Sequence, residues 1–165
     1  MVLRCTEKLL RRLPAIGKET SHACGATLLG DWYGHLLSIN RRRLVLLISE
    51  HSRLPVLLPA RDLAHLPWHL AGSLSRILAT MPISAHKIRD EIAAMQGAPF
   101  GPTASRSLLG TINDFAYALH WEINGTSDDE LFMAALKLSK TLVGPLAYRN
   151  PREVTIGLLA DAKRA

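Results

Sequence analysis

Trp32-Tyr33-Gly34-His35-Leu36-Leu37-Ser38-Ile39-Asn40-Arg41-Arg42-Arg43-Leu44-Val45-Leu46-Leu47-Ile48-Ser49 holds two different hydrophobic patterns on either side of a polar turn. Over residues 31–40 the side chains alternate. Trp32, Gly34, Leu36 and Ser38 point one way and Tyr33, His35, Leu37 and Ile39 the other, which is the two-residue period of a strand. Asn40-Arg41-Arg42 reads as a turn. After Arg43 the chain is apolar without a break to Ile48, as expected of a strand covered on both faces. A second turn at residues 50–53 leads to a third strand at 54–58, and Pro55 places that strand near a sheet edge. Strands joined by such short turns form an antiparallel meander.

Upstream, residues 2–5 read as a short strand. Thr6 stands where it can cap a helix over 7–13 that Pro14 ends. Residues 14–30, rich in Gly, Ala, Thr and Ser, read as a loop. Downstream of residue 60 the period changes to helical. Leu63, Leu66, Leu70, Leu74, Ile77 and Leu78 mark a helix within 62–80, with Pro67 starting or kinking it. Ser84 caps a helix to about Gln96, and Gly97 stops it. Residues 98–105, with two prolines, form a loop or short extended piece, and 106–123 a long helix. Ser127 or Asp128 opens a helix to about Leu142, before Gly144-Pro145. Asn150-Pro151-Arg152-Glu153 carries the residue types of a helix start. The expected fold is α+β: a small, mostly antiparallel sheet of an N-terminal strand plus a three-strand meander, packed against C-terminal helices. The expected organisation is one domain over 1–165, β-rich over 2–60 and helical over 62–165.

The 165 residues are 48% hydrophobic and 21% charged, enough to bury a core without a disulfide or metal staple. No apolar run approaches the roughly 18–20 residues of a membrane span, so no membrane partner is expected. The formal net charge of +6 is unevenly placed. Residues 1–61 hold ten basic and four acidic side chains, whereas 62–165 hold ten of each. A basic N-terminal third attracts nucleic acid, anionic lipid or an acidic partner. Arg41, Arg42 and Arg43 at a hairpin tip are the candidate phosphate contacts, with Trp32 and Tyr33 as candidates for stacking on bases. The plainer reading of these residues is a solvated turn and core aromatics. Two cysteines, Cys5 and Cys24, without a preceding secretory segment, point to free thiols in a reducing cytoplasm.

On the helix at 106–123, Leu108, Ile112, Phe115, Leu119 and Ile123 share the core face. The opposite face carries Arg106, Gly110, Asn113, Tyr117 and Trp121, with Ser107 and Asp114 beside it. A glycine inside a helix costs about 1 kcal/mol against alanine. That points to another segment, from residues 97–104 or the C-terminus, pressing against Gly110 in a mixed polar seam. Arg106, Ser107, Gly110, Asn113, Asp114 and Tyr117 are therefore the candidate polar site, with pairing of Arg106 to Asp114 as its plainer reading.

Arg106-Ser107-Leu108-Leu109-Gly110-Thr111-Ile112-Asn113-Asp114 resembles the Arg-Ser…Gly…Asn-Asp block of an uncharacterised family of small bacterial domains of unknown function. The opening Leu3-Arg4-Cys5-Thr6-Glu7-Lys8-Leu9-Leu10 is similar too. So are Trp32, Leu36, Ile39 and Asn40, and Ser52 before Pro55-Val56-Leu57-Leu58. The resemblance spans most of residues 2–123. It implies a bacterial origin and an α+β fold, and it implies no activity.

Other chemistries find little support. His65 and His69 stand four apart, but Pro67 between them disturbs a shared ligating face, and no Cys-x-x-Cys or His-Glu-x-x-His motif is present. His22 and Cys24 are the other metal-ligand types considered, and no metal is expected. No phosphate- or dinucleotide-binding glycine motif occurs, so no cofactor is expected. The functional expectation is a non-catalytic bacterial interaction module that contacts nucleic acid through its basic third or works in a nucleic-acid-processing or defence assembly with a protein partner. The alternative is a small metal-independent, toxin-like nuclease using the Arg106 face, with His120 or His35 as general base.

Overall fold

A computed structural model describes residues 1–14, 27–125 and 127–160. The meander forms as its patterns require: β2 (Trp32–Ile39), β3 (Arg42–Ser49) and β4 (Pro55–Pro59) pair antiparallel, from Trp32 opposite Ser49 to Ile39 opposite Arg42, and from Leu44 opposite Pro59 to Ile48 opposite Pro55. β3 is buried from Leu44 through Ser49. Pro55 does lie in an edge strand, in the order β4-β3-β2-β1-β5.

β1 (Leu3–Cys5) adds to β2 in parallel, Leu3 opposite Trp32. Asp31 fixes that junction, accepting from Val2 N at 2.8 Å and from Arg4 Nε at 2.7 Å. A fifth strand, β5 (Phe100–Pro102), lies in the segment read as loop or extended, and pairs in parallel with β1. The sheet is thus mostly antiparallel by paired length, with two three-residue parallel ladders at one side.

Among the described residues six α-helices accompany the sheet: α1 (Glu7–Leu10), α2 (Leu66–Leu78), α3 (Ala85–Ala94), α4 (Arg106–Glu122), α5 (Asp128–Leu138) and α6 (Pro151–Leu159). α1 is shorter than expected because its last turn tightens, with Arg12 N bonding Leu9 O and Leu13 N bonding Leu10 O. Thr6 precedes it but makes no side-chain cap; its hydroxyl instead pairs with His35 Nδ1 at 3.1 Å. α5 likewise stops at Leu138, where Lys140 and Thr141 make short-range bonds, and Leu142 is left exposed. Ser84, Ser127 and Asn150 each cap with a side-chain oxygen, Ser127 in a reciprocal capping box with Glu130.

α4 packs on β2 and β3, while α2 and α5 pack on β4. The buried side chains of sheet and helices form one contiguous cluster. Trp32 and Tyr33 belong to it, at 0% and 2% exposure, so neither can stack on a base. Buried Glu91 of α3 ties the segment before β2, accepting from Leu28 N at 2.9 Å and Leu29 N at 3.0 Å.

Candidate functional site

The β2–β3 hairpin closes with Asn40 and Arg41 both at positive φ, 49° and 64°. This is the mirror-image two-residue turn that matches strand twist. An arginine in the left-handed region costs about 1–2 kcal/mol, where glycine would cost nothing. The tip is tied down by Asn40 Nδ2, which donates to Ile123 O at 3.2 Å. Arg41, Arg42 and Arg43 are all exposed.

Arg43 is set apart from its neighbours by the next strand. Ala60 N donates to Arg43 O at 3.0 Å, which brings the chain leaving β4 alongside Arg43 and so places Arg61 nearby. Together with Arg12 from the turn after α1, these two arginines line an open groove of about 480 Å³. Leu36 and Leu63 are among its apolar lining, and Asp62 is its acidic residue. Among the described residues, neither the Arg12 nor the Arg43 side chain has a hydrogen-bond or ion-pair partner. Arg61 Nη2 reaches Asp128 Oδ1 at 3.0 Å, an exposed pair of the kind worth about 0–1 kcal/mol.

A second cleft of about 300 Å³ adjoins the groove and shares Arg61 and Asp62. Arg76 lines it, with its guanidinium 4.5 Å from the Phe132 ring centroid and Nη2 3.3 Å from Asp129 Oδ1. His65 Nδ1 and His69 Nε2 both stand 3.1 Å from the Asp62 carboxylate. Those hydrogen bonds, His69's first, hold the Asp62 carboxyl below its ordinary range. Pro67 sits in the first turn of α2 and does not kink it, so both rings reach one carboxylate. Among the described residues no group of three or more His, Cys, Asp or Glu side chains could hold a metal ion; His22 and Cys24 lie outside them.

The face of α4 opposite its core side is open. Arg106, Ser107, Gly110, Asn113, Asp114 and Tyr117 are all exposed. Nothing beyond the helix comes within 4 Å of the position a Gly110 Cβ would occupy, so no segment of the described chain presses there. The mixed seam expected around Gly110 is therefore not made within the described chain. Arg106 and Asp114 do not pair, and Asn113 bonds no backbone of residues 97–104. Ser107 Oγ accepts from Arg53 Nη2 at 3.3 Å. Burial lowers the Arg53 pKa, and its Nε and Nη1 have no partner among the described residues. His120 lies fourteen residues along α4 from Arg106, about 21 Å at the helical rise. His35 is held by Thr6 on β2. Arg106 and His120 are thus not brought together.

The Arg12–Arg43–Arg61 groove was not predicted as a unit, although all three arginines lie in the basic third. Their charge excess is the signal that pointed there, and only the β3–β4 pairing, with α1 packed on β2, says which of the ten cations converge. No helix among the described residues is long and apolar enough to cross a membrane. No curated protein and no solved structure matches the chain. The model of a domain of unknown function, DUF6933, matches residues 2–154, and the chain belongs to that family.

Proposed function

We propose that this protein is a non-catalytic interaction module that holds a nucleic acid by its phosphate backbone in the groove of Arg12, Arg43 and Arg61. The observation that carries this is the convergence of three guanidinium groups from separate parts of the basic third, two of them unpaired among the described residues. Guanidinium forks suit phosphate oxygens, and the Arg61–Asp128 pair is weak enough to yield to a phosphate. Arg41, exposed at the hairpin tip two residues before Arg43, adds to the positive charge of this part of the chain, and its left-handed backbone is of a kind found at functional positions. The setting that fits is a bacterial cytoplasm, within a nucleic-acid-processing or defence assembly. There Cys5, buried and with its thiol pushed up to about 12, stays inert.

The test is fluorescence anisotropy with labelled single-stranded RNA, single-stranded DNA and duplex DNA across a salt series. Affinity should fall with salt with a logarithmic slope of about −2 to −3, three phosphates' worth. Replacing Arg12, Arg43 and Arg61 together by alanine should weaken binding at least tenfold and flatten that slope, while Arg106→Ala should change neither. No binding at about 50 mM salt would refute the reading. Cleavage of a probe that disappears in Arg106→Ala would replace it with the nuclease.

A further inference from the structure

The exposed face of α4 presents five residues spaced four, three, four and four apart: Arg106, Gly110, Asn113, Tyr117 and Trp121. Steps of three and four residues keep all five on one face of the helix. Tyr117 is 71% exposed and Trp121 77%, although both types are enriched at the centres of protein interfaces. Nothing beyond the helix lies within 4 Å of the Gly110 Cβ position, which leaves a gap one residue wide in the middle of the stripe.

We infer that this face binds a second copy of the same chain, α4 against α4 in antiparallel fashion, about a two-fold axis between Asn113 and Asp114. The stripe is complementary to itself about that point. Arg106 of one copy lies level with Trp121 of the other, where a cation meets an aromatic face. Gly110 lies level with Tyr117, so the gap receives the ring. Asn113 lies level with Asp114, and the amide can donate to the carboxylate. Each pairing occurs twice, as a two-fold interface requires, and the antiparallel arrangement opposes the two helix dipoles. A parallel pairing would instead set Arg106 against Arg106 and Gly110 against Gly110. No residue of the stripe lines the arginine groove, so the inference stands apart from the proposed function.

α4 is about 25 Å long, so such a contact falls at the small end of specific interfaces, and a micromolar dissociation constant is expected. Sedimentation velocity from about 1 µM to 1 mM should show a monomer converting to a dimer. Trp121→Ala should raise the dissociation constant at least tenfold with an unchanged far-ultraviolet spectrum, and Trp121→Phe should restore most of the affinity. Register is read by cross-linking in a Cys24→Ser background, in which Cys5 is buried. Gly110→Cys and Tyr117→Cys proteins should form an intermolecular disulfide when mixed and far less when oxidised separately. A monomer at 1 mM overturns the inference. So does a dimer indifferent to Trp121→Ala, or one in which Gly110→Cys cross-links to itself as readily as to Tyr117→Cys.

Discussion

Gly110 shows how far a single residue can be read from sequence. A helical wheel places it opposite Leu108, Ile112 and Phe115, and those three are buried as expected. The wheel says which side is not core; it does not say whether that side is covered. A glycine in mid-helix suggests a cover, and the described chain supplies none. The energetic consequence reverses accordingly. With open space at the Cβ position, Gly110→Ala gains helix propensity without a clash and should stabilise the protein by about 0.5–1 kcal/mol. In dilute solution the thermal midpoint should rise by about 1–4 °C. A lower midpoint would mean that something outside the described residues sits on this glycine.

Helix beginnings were the most legible elements, because the residue that stops the preceding strand or loop also bonds the first helical amides. Asn150 Oδ1 accepts from Glu153 N at 2.8 Å, and Ser127 and Glu130 cap reciprocally, as their spacing implies. β5 was less legible: Phe100-Gly101-Pro102 has neither length nor alternation, and it is a strand because Leu3, Arg4 and Cys5 lie beside it. The arginine groove was illegible for the same reason, since its residues are far apart in sequence and meet only through strand pairing and the packing of α1 on β2. The tie between α6 and the turn after β3 was also invisible. Thr155 Oγ1 donates to Ser52 Oγ at 2.8 Å, Ser52 Oγ pairs with Ser49 Oγ at 2.7 Å, and Leu54 N donates to Ser49 Oγ at 3.1 Å, with all three hydroxyl-bearing residues buried. Thr155→Val keeps the shape and leaves Ser52 one partner short. Chemical denaturation should show a loss of about 1–2 kcal/mol, and Thr155→Ser should lose less of it. Equal stability of Thr155→Val and the parent would show that the hydroxyl chain does not hold α6 in place.

Acid tolerance of the whole molecule turns in part on His35, half-buried in β2 beside Thr6. Burial first, and then the charge of Lys8, lower its pKa from the ordinary 6.5. Between the native and unfolded values the unfolded chain binds more protons, so stability rises with pH there. The contribution is complete above about pH 6.5 and is lost as pH falls through the lowered native value. Urea midpoints measured from pH 7.5 to 5 should therefore decline, and His35→Gln should decline less over that interval. The sheet also sets an order in time. β1 precedes both of its neighbours in the chain and lies between β2 and β5, with Leu3 opposite both Trp32 and Phe100. Until residue 102 has been synthesised, one side of β1 presents unpaired backbone amides and carbonyls. A nascent chain that has already paired β1 with β2 thus carries an open strand edge until residues 100–102 emerge to cover it.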